Sequence, residues 1–290
     1  MNAEDAWFVT TRPSMPLQNS QKSVHDSLVF RTDDGGKHWT IIRLHHSYLL
    51  AWIDFISPLQ GWLLASPGPA TGQEPCILYY THDGGKHWRI ISSTSDIDFS
   101  SQSKHSLPNW NGKTGISFLN STTGWMTIDD GNKSGVITLY VTHDGGSRWS
   151  AQSIAVPKRW KAVYTHPLPP IFSSPTTGVM PVTFSGKNET MFYFTMDSGT
   201  HWTTSTPIPE ARVLDVVMSN QTTVWTTNGK SVYATINDGD SWVKWTCPHH
   251  DKVISLFILK DGLSAIAYTE KKGKITQHQL YIHDMNSFLL

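Results

Sequence analysis

Short runs rich in aliphatic and aromatic residues recur along the chain, at 28–31, 77–80, 137–141 and 191–194, each followed within about ten residues by another, such as 40–42 or 89–91. Their length and composition predict β-strands, and the polar stretch between each pair predicts a hairpin turn. That stretch is one eight-residue phrase, the box, met five times: at 32–39, 81–88, 142–149, 195–202 and 235–242. Its first copy reads Thr32, Asp33, Asp34, Gly35, Gly36, Lys37, His38, Trp39. A carboxylate at Asp34, Asp83, Asp144 or Asp197 can accept from the turn's own amides, and glycines can take the positive φ that closes the turn. In the fifth copy Asp238 fits one place late, with Asn237 in the usual slot. The closing Trp39, Trp88, Trp149, Trp202 and Trp242 are expected to bury a large ring against a neighbouring strand or sheet.

A second landmark lies upstream of the box. Phe55, Ser57, Pro58, Gly61 and Trp62 recur as Phe118, Asn120, Ser121, Gly124 and Trp125, then as Phe172, Ser174, Pro175, Gly178 and Val179. Met218, Asn220, Gln221 and Trp225 are a weaker copy with Val224 at the glycine, and Leu256, Gly262 and Leu263 a weaker one still, followed by an eroded box at Asp284 and Leu289. Successive box tryptophans stand 49, 61, 53 and 40 residues apart, enough for one four-stranded sheet per repeat. The predicted fold is therefore all-β: a propeller of about six four-stranded antiparallel blades, each box joining strands 3 and 4. The repeats run over about 6–49, 50–93, 114–154, 171–206, 212–247 and 253–290, as one domain over 1–290. The first repeat begins at its second strand and the last stops at its box, which predicts either a longer precursor or imperfect ring closure.

Composition narrows the function. Lys plus Arg and Asp plus Glu both total 23, so no global field favours nucleic acid. No run of 18 apolar residues would span a membrane, and residues 1–7 are acidic with no signal-peptide core. Cys76 and Cys247 fall in repeats two and five and read as buried thiols rather than a disulfide.

The box resembles the Asp-box, or bacterial neuraminidase repeat, of sialidases and other propeller glycosidases. Its pairing with an upstream Gly-Trp is similar to the photosystem II stability and assembly factor family, and this resemblance covers the chain from Trp7 to Leu289. It implies an exported propeller that binds other proteins, and secondarily a glycan-binding or sialidase-like hydrolase. A sialidase-like site needs an arginine cluster and paired carboxyl groups. Of seven arginines, Arg31, Arg89 and Arg148 lie beside or inside boxes, leaving Arg12, Arg43, Arg159 and Arg212. The Asp-box carboxylates are committed to turn amides, so no catalytic residue is assigned.

No metal or cofactor is expected either. His45 with His46, and His249 with His250, are adjacent pairs whose side chains diverge on a strand, and the Asp129–Asp130 region lacks the calcium-loop pattern. Binding is expected on the face opposite the boxes, which receives the long irregular loops 11–27, 66–75, 94–113 and 155–170. His45, His46, Trp110, Arg159, Trp160, Lys161, Arg212, His249 and His250 supply its aromatic and cationic groups. The sequence thus predicts a non-catalytic, monomeric, extracytoplasmic scaffold for a protein partner, with a glycan as the alternative ligand.

Overall fold

The computed structural model describes residues 4–12, 26–47, 50–66, 68, 73–94, 104–105, 107–109, 112–129, 131, 135–209, 213–247, 251–259 and 261–288. These contain six β-sheets, and the chain divides into two compact units: 1–131 with 138–153, and 132–137 with 154–290.

In the first unit, sheet one is β1 (Ala6–Arg12), β2 (Asp26–Thr32) and β3 (Thr40–Ser47), in that order. Sheet two is β4 (Leu50–Phe55), β5 (Gly61–Ser66), β6 (Ile77–Thr81) and β7 (Arg89–Ser93), with β8 (Lys104–His105) added in parallel at its edge. Sheet three is β9 (Gly112–Phe118), β10 (Gly124–Asp129), β11 (Val136–Thr142) and β12 (Ser150–Ala155), of which residues 136–137 and 154–155 count with the second unit.

The second unit holds the rest. Sheet four joins β13 (Thr165–Pro167), β14 (Ile171–Phe172), β15 (Gly178–Phe184), β16 (Glu189–Thr195), β17 (Thr203–Thr204) and β18 (Ile208–Pro209). Sheet five is β19 (Asp215–Met218), β20 (Val224–Thr227), β21 (Ser231–Thr235) and β22 (Trp242–Thr246). Sheet six is β23 (Lys252–Ile258), β24 (Ser264–Lys271) and β25 (Lys274–Tyr281), and the last strand, β26 (Asn286–Phe288), pairs with β22 of sheet five.

Sheets one and six have three described strands each, as expected of a first repeat that begins at its second strand and a last one that stops at its box. The eroded sixth box is corrected: that segment forms a 3-10 turn (Ile282–Asp284) before β26 leaves for sheet five. The box cannot form there because Ile282 and Asn286 stand where its threonine and closing glycine would be, which leaves Asp284 without those partners.

Each of the five real boxes closes on itself. The threonine hydroxyl donates to the third residue's side chain, at 2.8 Å for Thr81 to Asp83, and accepts the N–H of the fifth residue, at 2.9 Å from Gly85. The same Asp oxygen takes the seventh residue's N–H, from His38, His87, Arg148 or His201. In the fifth box these bonds go to Asn237, at 2.8 Å from Thr235 and 3.1 Å from Ser241 N. Asp238 is therefore not the box acceptor. It stands at the fourth position, with φ of 54°, where Gly35, Gly84, Gly145 and Ser198 also have positive φ.

That fourth residue also ties the box to its own sheet's first turn. Its N–H reaches the carbonyl of Glu4, Leu59, Thr122, Thr176 or Thr222 in sheets one to five. Its carbonyl serves the preceding sheet: the Trp7 indole N–H donates to Gly84 O at 2.8 Å and Trp62 to Gly145 O at 3.0 Å. These two rings stack on the next sheet's landmark phenylalanine, Trp7 on Phe55 at 4.1 Å and Trp62 on Phe118 at 3.8 Å. The buried wedges are thus the landmark tryptophans. Trp62, Trp125 and Trp225 are at most 1% exposed, while Trp39 is 42% exposed and Trp88, Trp149 and Trp202 are half-buried. Of the box tryptophans only Trp242 is buried, with its N–H on Thr206 O.

The landmark glycine follows from the landmark phenylalanine. Phe55 pairs across the strands with Gly61, Phe118 with Gly124 and Phe172 with Gly178, and the ring folds back over its partner. A Cβ at Gly61 would sit 2.6 Å from the Phe55 ring. The core then fills between sheets, with Trp62, Leu64 and Leu78 against Ile116, Phe118 and Met126 in the first unit. In the second unit Trp225, Val232 and Ala234 pack against Leu256, Ala265 and Ala267. Burying one such large side chain contributes about 1.5–3 kcal/mol.

Candidate functional site

Of the expected binding residues, Trp110, Arg212, His249 and His250 lie outside the described residues. His45 and His46 are consecutive on β3, and their side chains are outside the described set as well. Arg159, Trp160 and Lys161 are described, and they come together in the second unit on the segment between β12 and β13.

The local chain there makes one short 3-10 turn at Lys158–Trp160, opened by Pro157 at φ −57°. Proline's fixed φ suits the start of such a turn, and the N–H of Trp160 closes it on Pro157 O at 2.9 Å. Trp160 points inward. It is 7% exposed, packs on Phe184 of β15 at 5.7 Å, and donates its indole N–H to Glu189 at the start of β16, at 2.7 Å. Arg159 turns outward, lays its guanidinium 5.0 Å from the Trp160 ring and pairs with the other Glu189 oxygen at 3.3 Å. This answers the expectation for Trp160: a ring buried and hydrogen-bonded this way is a fastener, not a free contact surface.

Two further contacts hold the segment. Tyr164 O accepts the N–H of Ser185, and Lys161 packs its stem over Gly135, whose φ is 76°. Lys158, Arg159, Lys161 and Tyr164 remain exposed, beside the β15–β16 turn that carries exposed Lys187. Sequence reasoning points to Arg159, Trp160 and Lys161 but misses Glu189, the residue that fixes them. Nothing periodic marks it, since it lies 29 residues from Trp160 and outside every box.

The first unit's loop end is welded by a different acid. Glu74, fully buried, accepts from Ser66 Oγ at 2.6 Å and from the Lys113 N–H, while Lys113 Nζ donates to Glu74 O at 3.0 Å. Burial pushes the neighbouring Cys76 thiol up to about 12, which keeps it protonated and unreactive. Burial also holds the Lys113 ammonium below the usual lysine range.

Other perturbed acids belong to the frame. Burial raises Asp54 on β4 to about 6, although its carboxylate accepts the Phe118 N–H of sheet three at 2.6 Å. Burial likewise raises Asp215 on β19 against backbone N–H groups of Val216 and Leu256. The box acids Asp34, Asp83 and Asp197 move the other way: the His38 N–H, the His38 ring and the Thr32 hydroxyl hold Asp34 near 2. No group of three His, Cys, Asp or Glu side chains converges as a metal site among the described residues. No described helix is long and apolar enough to cross a membrane.

No protein-family model and no curated protein matches the chain. Solved structures do. The chain aligns over 93% of its length with 42% of the GH74 xyloglucanase of Xanthomonas campestris, at 14% identity and a TM-score of 0.55. It also aligns over 99% of its length with 48% of a prolyl endopeptidase, at 9% identity and a TM-score of 0.50. A structure of YCF48 bound to D1 peptide aligns with 98% of this chain and 89% of its own, at 17% identity and a TM-score of 0.43. The chain thus spans under half of the xyloglucanase and endopeptidase structures. The fold is β-propeller-like. A likeness at this identity fixes the architecture and leaves the chemistry to the chain's own residues.

Proposed function

We propose that the chain is a non-catalytic propeller scaffold of about six blades with Asp-box hairpins, one domain that binds another protein through the loop end of its second unit. Its place is outside the cytoplasm, in the assembly of an envelope or membrane complex. The observation that carries this reading is the Trp160–Glu189 fastener, which holds an irregular surface segment in one shape while leaving Arg159 and Lys161 exposed. Preorganised loops on a rigid frame bind without an ordering cost, and arginine is among the residue types that dominate interface energetics. The acids of the boxes are engaged by their own turns, so they add to shape rather than to chemistry.

The test is capture of partners from an envelope fraction by the purified chain and by Arg159→Ala/Lys161→Ala. The expected result is a specific captured protein that the variant binds at least about tenfold less well, with an unchanged melting transition. Glycoside hydrolysis by the purified chain, abolished by changing carboxylates of that loop end, would overturn the reading.

A further inference from the structure

The charge around this loop is one-sided. Segment 156–165 reads Val, Pro, Lys, Arg, Trp, Lys, Ala, Val, Tyr, Thr, with three cations and no acid, in a chain whose charges balance overall at 23 and 23. The β15–β16 turn adds Lys187, and that turn abuts the segment: the Ser185 N–H bonds Tyr164 O at 3.0 Å, and a Cβ at Gly186 would touch Val163 at 3.4 Å. Glu189 lies under this patch, and both of its oxygens are engaged, one by Arg159 and one by Trp160. Lys158, Lys161 and Lys187 are exposed on these two adjoining segments, as is Tyr164 at 45%.

Cations gathered on two adjoining exposed segments raise the local potential and favour an anionic partner. We propose that the 158–164 segment and the adjoining 185–188 turn form a docking platform for an acidic peptide segment of a partner protein. Resting on the scaffold reading above, this names the chemistry of its partner. Carboxylates would face Lys158, Lys161 and Lys187, with an apolar or aromatic side chain of the peptide against Tyr164. A peptide fits better than nucleic acid because the patch is confined to two short segments and the whole molecule carries no net positive field to follow a phosphate backbone.

The experiment measures fluorescence anisotropy of a labelled Glu- and Asp-rich twelve-residue peptide bearing one central phenylalanine, and of its Gln and Asn counterpart. A single-stranded DNA of equal charge is the third probe. The full chain is compared with Lys158→Gln/Lys161→Gln and with Lys187→Gln, each first shown to melt like the parent. Saturable binding of the acidic peptide alone, weakened about tenfold by the double change and reduced by added salt, is the expected result. Equal binding of the neutral peptide, or no effect of the lysine changes, would overturn the proposal, and tighter binding of the DNA would assign the platform to nucleic acid instead. The envelope-capture assay run on the same variants separates the two readings. Partner capture that survives Lys158→Gln/Lys161→Gln would leave the scaffold standing and remove the acidic peptide, whereas no capture by the parent chain would remove the scaffold.

Discussion

At the scale of the residue, Trp160 shows how burial reverses a role. Exposed, an indole next to Arg159 and Lys161 would be an interface anchor. Here its N–H bonds Glu189 and its ring fills space against Phe184, so its loss leaves both a void and a half-satisfied carboxylate. Trp160→Ala should therefore destabilise the chain by about 3–5 kcal/mol, read as the shift in a urea unfolding curve. Arg159→Ala removes a side chain that is itself 65% exposed and leaves Glu189 its Trp160 N–H, so it should cost at most about 1 kcal/mol. Equal and small losses would show that the indole is not the fastener. The sequence can offer Trp160 as a candidate because aromatic and basic residues cluster there. It cannot say which way the ring points, since that depends on Glu189 arriving from another strand.

At the scale of the element, the repeat is held by three devices of different legibility. Thr81, Asp83 and Gly85 spell the box outright, because each bond lies within five residues. The Phe55–Gly61 pairing is legible as a spacing, although its cause, a ring lying where a Cβ would be, emerges only in three dimensions. The third device, the landmark indole reaching the next sheet's box, spans 77 residues for Trp7 and 83 for Trp62, and the sequence pattern alone points to the box tryptophans instead. Recurrence of a tryptophan in sequence does not tell which sheet face it takes. The landmark of sheet six is displaced for a related reason. Asp261 plays the part of Ser57 there, accepting the Leu263 and Ser264 N–H groups as Ser57 accepts those of Leu59 and Gln60. Ala265 and Ile266 then occupy the Gly-Trp positions, and Gly262 is a turn residue at φ 69° whose carbonyl takes the Trp225 N–H. Two changes test the element account. Gly61→Ala should cost about 1–3 kcal/mol through the rigid Phe55 ring, and Phe55→Ala in the same chain should remove most of that added cost, giving a non-additive cycle. Additive losses would mean that the glycine serves some other purpose.

At the scale of the whole molecule, pH acts on two sets of acids in opposite senses. Asp34 and Asp197 are held near 2, each first by a turn N–H, below the ordinary 3.8, so their contribution is present above that ordinary value and is lost as pH falls toward 2. Asp54 is raised by burial to about 6, so its contribution is full below 3.8 and is lost as pH rises through 6. Stability should therefore peak in mildly acid solution. Asp54→Asn, whose amide oxygen can still accept the Phe118 N–H, should flatten the decline between pH 4 and 7 and raise stability at pH 7 by about 1–2 kcal/mol. A decline that persists unchanged in the variant would place its origin elsewhere.

The central claim is that the loop end of the second unit binds a partner protein while the boxes only hold the frame. Hydrogen–deuterium exchange of the chain, alone and with a captured partner, tests it most directly. Added protection is predicted over 156–165 and 185–189, with the exchange of the box turns at 81–88, 142–149 and 195–202 unchanged. Protection confined to those box turns, with 156–165 exchanging as in the free chain, would contradict the account.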